Sequence, residues 1–393
     1  MRVPREVYQV EHLMAAHLPE LRPAQRRGLA LWVTGAVIAD SACQAAVIAA
    51  GLPLGLAAHA VRQTLRAWRY DGADRAAPGR RELDVTRCFA PLLRWVVAWW
   101  QGTDLALAVD ATSLGDRLVG LSVRVVYRGG AIPVAWQVRP ATAPGPWMEP
   151  ILARLARLGP AVPAAWTVLG LTDRGLWSPR RYDRIAALGW HPLRRLQRPA
   201  TFQPAGQRRR VPARTLGPGP GHAWVGAGVA FKDRPDWRAG TLLVVWEPAA
   251  AEPWVLLTTL PPDAVDVCWY GLRAWIELGF RALKSLGWHW ERTRRPDPDR
   301  VARHWLVLAV ATRWVLAYGT RAEDAERRGI PPANLRVAPP PPPPAAARWL
   351  SVFHRGIDQV RWQVRRGGGC GPGSGSSPRR GQTPRPPWSS PAS

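Results

Sequence analysis

Apolar and polar positions follow two rhythms along this chain, and the change from one to the other divides it. Residues 1 to about 90 have helical spacing. Ala24 to Ala50 is apolar at helical intervals, Gly51-Leu52-Pro53 breaks the run, and Leu56 to Arg69 resumes it. Asp71 to Arg81 reads as a loop. From Asp104 the period shortens: LALAVD, RLVGLSVRVVYRG and AIPVAWQV, separated by Ser-Leu-Gly-Asp and Gly-Gly turns, predict three strands in a meander. Pro146 to Leu158 then predicts a helix, WTVLGLTD a strand, and Pro179 to Leu188 another helix. Arg194 to Arg214 is basic and punctuated by Pro and Gly, densest at Arg208-Arg209-Arg210, and Ala223 to Thr259 alternates like an antiparallel sheet. Helical spacing returns at Tyr270 to Lys284, at Asp299 to Tyr318 with Asp299 placed to cap its first turn, and at Ala345 to Val364. The Pro339 to Pro344 run predicts an extended spacer, and the Gly/Ser/Pro/Arg composition from Gly367 onward predicts disorder.

The segment Tyr270 to Lys284, YGLRAWIELGFRALK, carries the densest chemistry. At about 100° per residue, Tyr270, Arg273, Glu277 and Lys284 fall at about 0°, 300°, 340° and 320°, inside one arc. Leu272, Trp275, Ile276, Phe280 and Leu283 take the opposite side and its flank. Such a helix buries one face and offers a narrow polar stripe to a partner, with Arg281 beside it; an i, i+4 pair such as Arg273 with Glu277 would by itself contribute only a few tenths of a kcal/mol. In the N-terminal part, Arg62, Arg66 and Arg69 share one face of the second helix of a helix–turn–helix-like pair, a pattern that fits DNA contact and equally fits plain helical packing.

Charge narrows the partner. The 393 residues carry 54 basic against 28 acidic side chains, a formal charge of +26, and the sequence pI is near 11.5. That balance selects a polyanion. The arginines are spread over the whole length and no basic amphipathic helix dominates, so nucleic acid is the expected partner and a membrane surface is not. Only Lys232 and Lys284 are lysines, which singles out the one on the stripe. Of the 23 tryptophans many must be core, while some suit stacking on unpaired bases. The four cysteines, Cys43, Cys88, Cys268 and Cys370, have neither zinc-site nor disulfide-framework spacing, which fits a reducing cytoplasm. The N-terminus has no apolar signal core, and the uncharged run Ser41 to Val61 contains Gln44, Gly51, Pro53, Gly55 and His59, so it reads as two helices and a turn.

The spacing Tyr, two residues, Arg, three residues, Glu, six residues, Lys resembles the Y-R-E-K motif of DDE transposases of the insertion-sequence-four type. The words AVDATS and LTDRGLW, around Asp110 and Asp173, resemble the two Asp motifs of the same group. For either aspartate alone, an ordinary turn residue is an equal reading. The resemblance spans roughly residues 20 to 365. It implies an α/β, ribonuclease-H-like mixed sheet with helices, in which the first and fourth strands are neighbours, interrupted by a β-rich insertion and preceded by a helical N-terminal domain. The expected division is a helical, DNA-binding segment 1–90, a first part of the core 100–198, a basic loop and β-rich insertion 199–262, a second part of the core 263–365, and a tail 366–393.

The resemblance implies that Asp110, Asp173 and Glu277 are the catalytic, metal-binding carboxylates. It implies that Tyr270, Arg273 and Lys284, with Arg281 extending them, hold DNA phosphates, and that the insertion supplies an aromatic for a flipped base, Trp237 first and Trp246 or Trp254 as substitutes. Hard oxygen ligands without His or Cys suit two Mg²⁺ ions, with Mn²⁺ a substitute. The implied activity is metal-dependent phosphodiester hydrolysis and strand transfer at inverted-repeat ends, by a homodimer on paired ends, in a prokaryotic, nucleoid-associated cytoplasmic setting. Two rival expectations are a catalytically idle DNA-binding descendant and a structure-selective nuclease on the same fold.

Overall fold

The computed structural model describes residues 4–69, 82–100, 102–142, 145–172, 178–327 and 351–365. The N-terminal segment forms four helices, α1 (Arg5–His17), α2 (Pro23–Ala39), α3 (Gln44–Gly51) and α4 (Ala58–Arg69). The single apolar run of Ala24 to Ala50 divides at Asp40, which takes a left-handed conformation (φ 51°) and closes α2. A 3₁₀ turn, Leu52–Leu54, and Gly55 at φ 76° separate α3 from α4. Helix α2 is buried from Gly28 through Val37, and among the described residues no single helix is long and apolar enough to cross a membrane.

The four helices share one apolar core with the rest of the chain. The link between α2 and α3 is the junction: the Ala42 carbonyl accepts from Trp32 Nε1 and His304 Nε2, each at 3.1 Å, and the Ala42 N–H donates to the Trp288 carbonyl at 2.9 Å. Burial pushes His304 down from 6.5 to about 4, so it folds as the neutral ring. At any pH between those values the unfolded chain binds the extra proton, so the stabilisation is complete above pH 6.5 and is lost as pH falls toward 4. The loss at pH 4 is about 3 kcal/mol. Urea unfolding at pH 7 and pH 4 should show that loss, and His304→Gln should flatten the pH dependence by the same portion.

A ten-stranded sheet runs, from edge to edge, through Gly130–Pro140, Leu118–Tyr127, Asp104–Leu114, Thr167–Thr172, His191–Arg195, Trp254–Thr258, Arg238–Val245, Ala223–Ala230, Thr201–Pro204 and Val211–Pro212. Its first part is β1 (Asp104–Leu114), β2 (Leu118–Tyr127) and β3 (Gly130–Pro140), an antiparallel meander in the predicted order. After α5 (Phe89–Val97) before the meander and α6 (Met148–Leu158) after it, β4 (Thr167–Thr172) lies parallel to β1. Helix α7 (Pro179–Ala186) leads to β5 (His191–Arg195), again parallel to β4. The mixed α/β architecture is compatible with a ribonuclease-H-like transposase core.

The basic stretch and the alternating stretch after it fold as β6 (Thr201–Pro204), β7 (Val211–Pro212), β8 (Ala223–Ala230), β9 (Arg238–Val245) and β10 (Trp254–Thr258). These strands do not form a separate sheet. β10 pairs antiparallel with β5, Leu257 opposite Arg194, so they prolong the first sheet, and a small second core around Phe202, Leu242 and Leu257 lies beneath them.

Two long helices complete the molecule, α10 (Pro298–Arg327) and α11 (Val352–Arg365). Helix α10 begins at Pro298, and its first turn is capped by Asp297, which accepts from the Arg300 N–H at 2.8 Å; the expected cap, Asp299, is already inside the helix. Proline takes the first helical position, so the cap falls on the residue before it, two residues ahead of Asp299. The Asp71 to Arg81 loop, Asp173, the Pro339 to Pro344 run, Cys370 and the 366–393 tail lie outside the described residues.

Candidate active site

Asp110 was expected to close the first strand, and it does not: β1 continues to Leu114 because its hairpin partner β2 runs alongside it. Its position is set by the other neighbour. Among the described residues the last pair between β1 and β4 is Val109 with Thr172, immediately before Asp110. Asp173 follows Thr172 in the sequence and lies outside the described residues. Asp110 pairs across to Ser122 and Ala108 to Arg124, so period two places all four on one face of the sheet. One carboxylate oxygen of Asp110 accepts from the Ala111 N–H at 2.7 Å.

The Tyr270 to Lys284 segment is helical but not one continuous α-helix. A single turn, α8 (Cys268–Gly271), precedes α9 (Ala274–Leu283). Between them the N–H groups of Leu272, Arg273, Trp275 and Ile276 each bond the carbonyl three residues back, at 3.0–3.3 Å, which tightens the winding. The four motif residues consequently do not share one exposed stripe. Tyr270 is 5% exposed, its ring edge-on to Trp254 at 5.3 Å. Arg273 stands at the head of α9, and Lys284 caps its end. Of the expected apolar face Ile276, Phe280 and Leu283 are buried, with Gly279 beside them, while Leu272 and Trp275 are half-buried.

Arg273 joins the two described carboxylates. Its guanidinium lies 3.8 Å from Asp110 and 3.4 Å from Glu277, and its side chain is 18% exposed. The Glu277 side chain is 65% exposed, so it stands at the mouth of the site and Asp110 deeper within it. Lys284 Nζ reaches back to β1 and donates to the Ser113 carbonyl at 2.9 Å, three residues beyond Asp110. Burial lowers the Lys284 pKa, Glu291 opposes that, and Arg124 adds to it. Arg281 is exposed on the next turn.

Arg124 is the residue that sequence reasoning passed over. It is completely buried, stacked on Phe280 of α9 at 4.0 Å, with Nε donating to Ser122 Oγ at 2.9 Å. Among the described residues its two terminal nitrogens have no hydrogen-bond partner. Burial pulls its pKa down to about 9 and the charge of Asp110 opposes the fall. A guanidinium held there fixes positive potential under Asp110 at the point where α9 crosses the sheet. The signal was an arginine amid LSVRVV, masked because β2 is buried on both faces and shows no alternation.

The other expected site residues scatter. Arg62 and Arg66 are exposed on α4, whereas Arg69 turns inward, over the Trp32 ring at 5.2 Å and bonded to Gln44. Trp237 is 42% exposed, with Arg210 over its ring at 4.9 Å and its Nε1 donating to the Lys232 carbonyl. Trp254 packs on Tyr270, and Trp246 Nε1 donates to the Ala250 carbonyl. Asp183, a nearby aspartate, is held by two bonds from Arg238 at 2.6 and 2.8 Å, a structural pair.

Among the described residues no three His, Cys, Asp or Glu side chains cluster as metal ligands. The two carboxylates that converge are hard oxygen donors with no imidazole or thiolate beside them, a set that fits Mg²⁺ or Mn²⁺.

Sheet, covering helices and this acid–base cluster together define a mixed α/β protein compatible with ribonuclease-H-like phosphodiester chemistry. Residues 137–314 match the family described as "Transposase DDE domain". The match covers under half of the chain, supports a DDE transposase with DNA as its partner, and takes in Asp173, Glu277 and Lys284 while beginning after Asp110. No curated protein shows a significant match to the chain.

Proposed function

We propose that the protein is a transposase of the insertion-sequence-four type that hydrolyses phosphodiester bonds at inverted-repeat ends and joins the freed 3′ hydroxyl to a second strand. The observation that carries this reading is the convergence of Asp110 and Glu277 on one guanidinium, with Arg124 and Lys284 around them. Asp110, Glu277 and Asp173 would hold the divalent ions, which when bound would neutralise charge on the attacking and leaving oxygens. Arg273 holds the two described carboxylates to one guanidinium. Lys284, Arg273 and Arg281 bind phosphate oxygens, and Tyr270 braces the head of the helix against Trp254. Trp237, on the sheet extension, is the aromatic offered to a flipped base. The active form is a homodimer on paired ends.

The test is nicking of duplex DNA bearing the genomic sequences that flank the gene, with and without Mg²⁺. Mg²⁺-dependent nicks at matched inverted repeats support the proposal. Binding without nicking indicates an idle descendant, and cutting of branched DNA irrespective of repeats indicates a structure-selective nuclease.

Lys284→Arg keeps the charge but replaces a compact ammonium by a wider planar fork that does not fit the single Ser113 carbonyl. Single-turnover cleavage by this variant is expected to fall at least tenfold, about 1.4 kcal/mol. A wild-type rate contradicts the assignment of Lys284.

A further inference from the structure

Just beyond the catalytic helix the chain folds back on itself, the N–H of Trp288 bonding the Ala282 carbonyl and that of His289 the Lys284 carbonyl. The next residues, with α3, α4 and α10, enclose a cavity of about 410 Å³. Among the described residues Arg69, Arg292, Arg294 and Arg295 line it and no Asp or Glu does. Four guanidinium groups around one concavity repel one another unless an anion is shared among them.

Two of the four are held in place before any ligand arrives. Arg69 and Arg295 lie over the Trp32 ring at 5.2 and 5.9 Å, and Arg69 is further fixed by Gln44. Among the described residues the buried Arg295 Nη1 has no acceptor. His304, 4% exposed, also lines the cavity; its Nε2–H is committed to Ala42, so its unpartnered Nδ1 is an acceptor for a water or hydroxyl. Guanidinium forks match phosphate oxygens two at a time. The volume accommodates a phosphate and its adjoining sugar.

We infer that this cavity is a phosphate-binding site that grips the DNA backbone next to the Lys284 end of the catalytic helix. The inference rests on the DNA-processing reading above, and it makes the N-terminal helices, through Arg69, part of the same DNA path.

The test is fluorescence anisotropy of full-length protein with a short duplex, without divalent ions, at 50 to 200 mM salt, so that it requires no cleavage. Arg295→Gln and Arg294→Gln are each expected to weaken binding and to reduce the slope of log affinity against log salt by about 1, one phosphate contact each. Arg294 is exposed, so its variant keeps the fold even if Arg295→Gln disturbs the stack on Trp32. Unchanged affinity and slope in both variants, with unchanged thermal midpoints, overturn the site. Binding of ATP that Arg295→Gln abolishes while duplex affinity stays constant in both variants overturns the DNA assignment in favour of a free polyphosphate. Because no step depends on Asp110 or Glu277, an inactive enzyme that still shows the loss of slope separates this site from the cleavage proposal.

Discussion

Asp110→Asn and Glu277→Gln are each expected to lower end cleavage by about a thousandfold while DNA binding is kept or slightly tightened. On the proposed assignment each substitution removes a hard anionic ligand but leaves shape and hydrogen-bonding capacity nearly intact. Loss of about 4 kcal/mol of transition-state stabilisation corresponds to that factor. Binding should not suffer, because the net charge becomes more positive beside a polyanion. The two variants also differ in a way that geometry dictates. Asp110 sits deeper, beside buried Arg124, so Asp110→Asn leaves a buried guanidinium without its nearest counter-charge and should lower thermal stability as well. Glu277 is largely exposed, and Glu277→Gln should leave stability unchanged. Single-turnover cleavage, anisotropy and thermal unfolding together check the pattern; a Glu277→Gln variant that cuts within tenfold of wild type would remove it from the catalytic set.

Gly279→Ala is expected to damage activity severely. A Cβ there would meet the Ala131 Cβ at 2.7 Å and the Ala131 backbone N and O at 3.2 Å, on β3. Neither neighbour is the tip of a flexible side chain, so α9 must move away from the sheet. Overpacking of this kind costs about 1–3 kcal/mol. The larger effect falls on chemistry. Glu277 lies two residues earlier on the same helix and Lys284 at its end, and displacement of about 1 Å in a reacting group reduces rate about a hundredfold. Thermal unfolding and single-turnover cleavage measure both; the expected signature is a rate loss far beyond the stability loss.

Much of the first part of the fold was legible because its signals are local. The turns Ser-Leu-Gly-Asp and Gly-Gly mark hairpins, and the observed β1, β2 and β3 fall where they predict. The rest depends on pairings no short window contains. Nothing in PWVLLTTL says that β10 will pair with β5, which makes the expected insertion a continuation of the sheet. The helical wheel placed four motif residues on one arc by assuming uniform winding, and the tightened turn at Leu272 to Ile276 broke that assumption, burying Tyr270. Arg69 shares its face with Arg62 and Arg66 in the sequence pattern, but the packing of α4 on Trp32 draws it inward. Arg124 stayed hidden because a strand covered on both sides has no polar face to betray an odd residue. Asp110 and Glu277 were identifiable by motif; that Arg273 unites them was visible only in three dimensions.

The most direct measurement is Mn²⁺ binding, followed by calorimetry and by electron paramagnetic resonance of the bound ions. If Asp110, Asp173 and Glu277 share one centre, the wild-type protein takes up two spin-coupled Mn²⁺ ions, and Asp110→Asn, Asp173→Asn and Glu277→Gln each abolish the coupled signal. Retention of that signal in any one of the three variants, or its absence from the wild-type protein, contradicts the shared site.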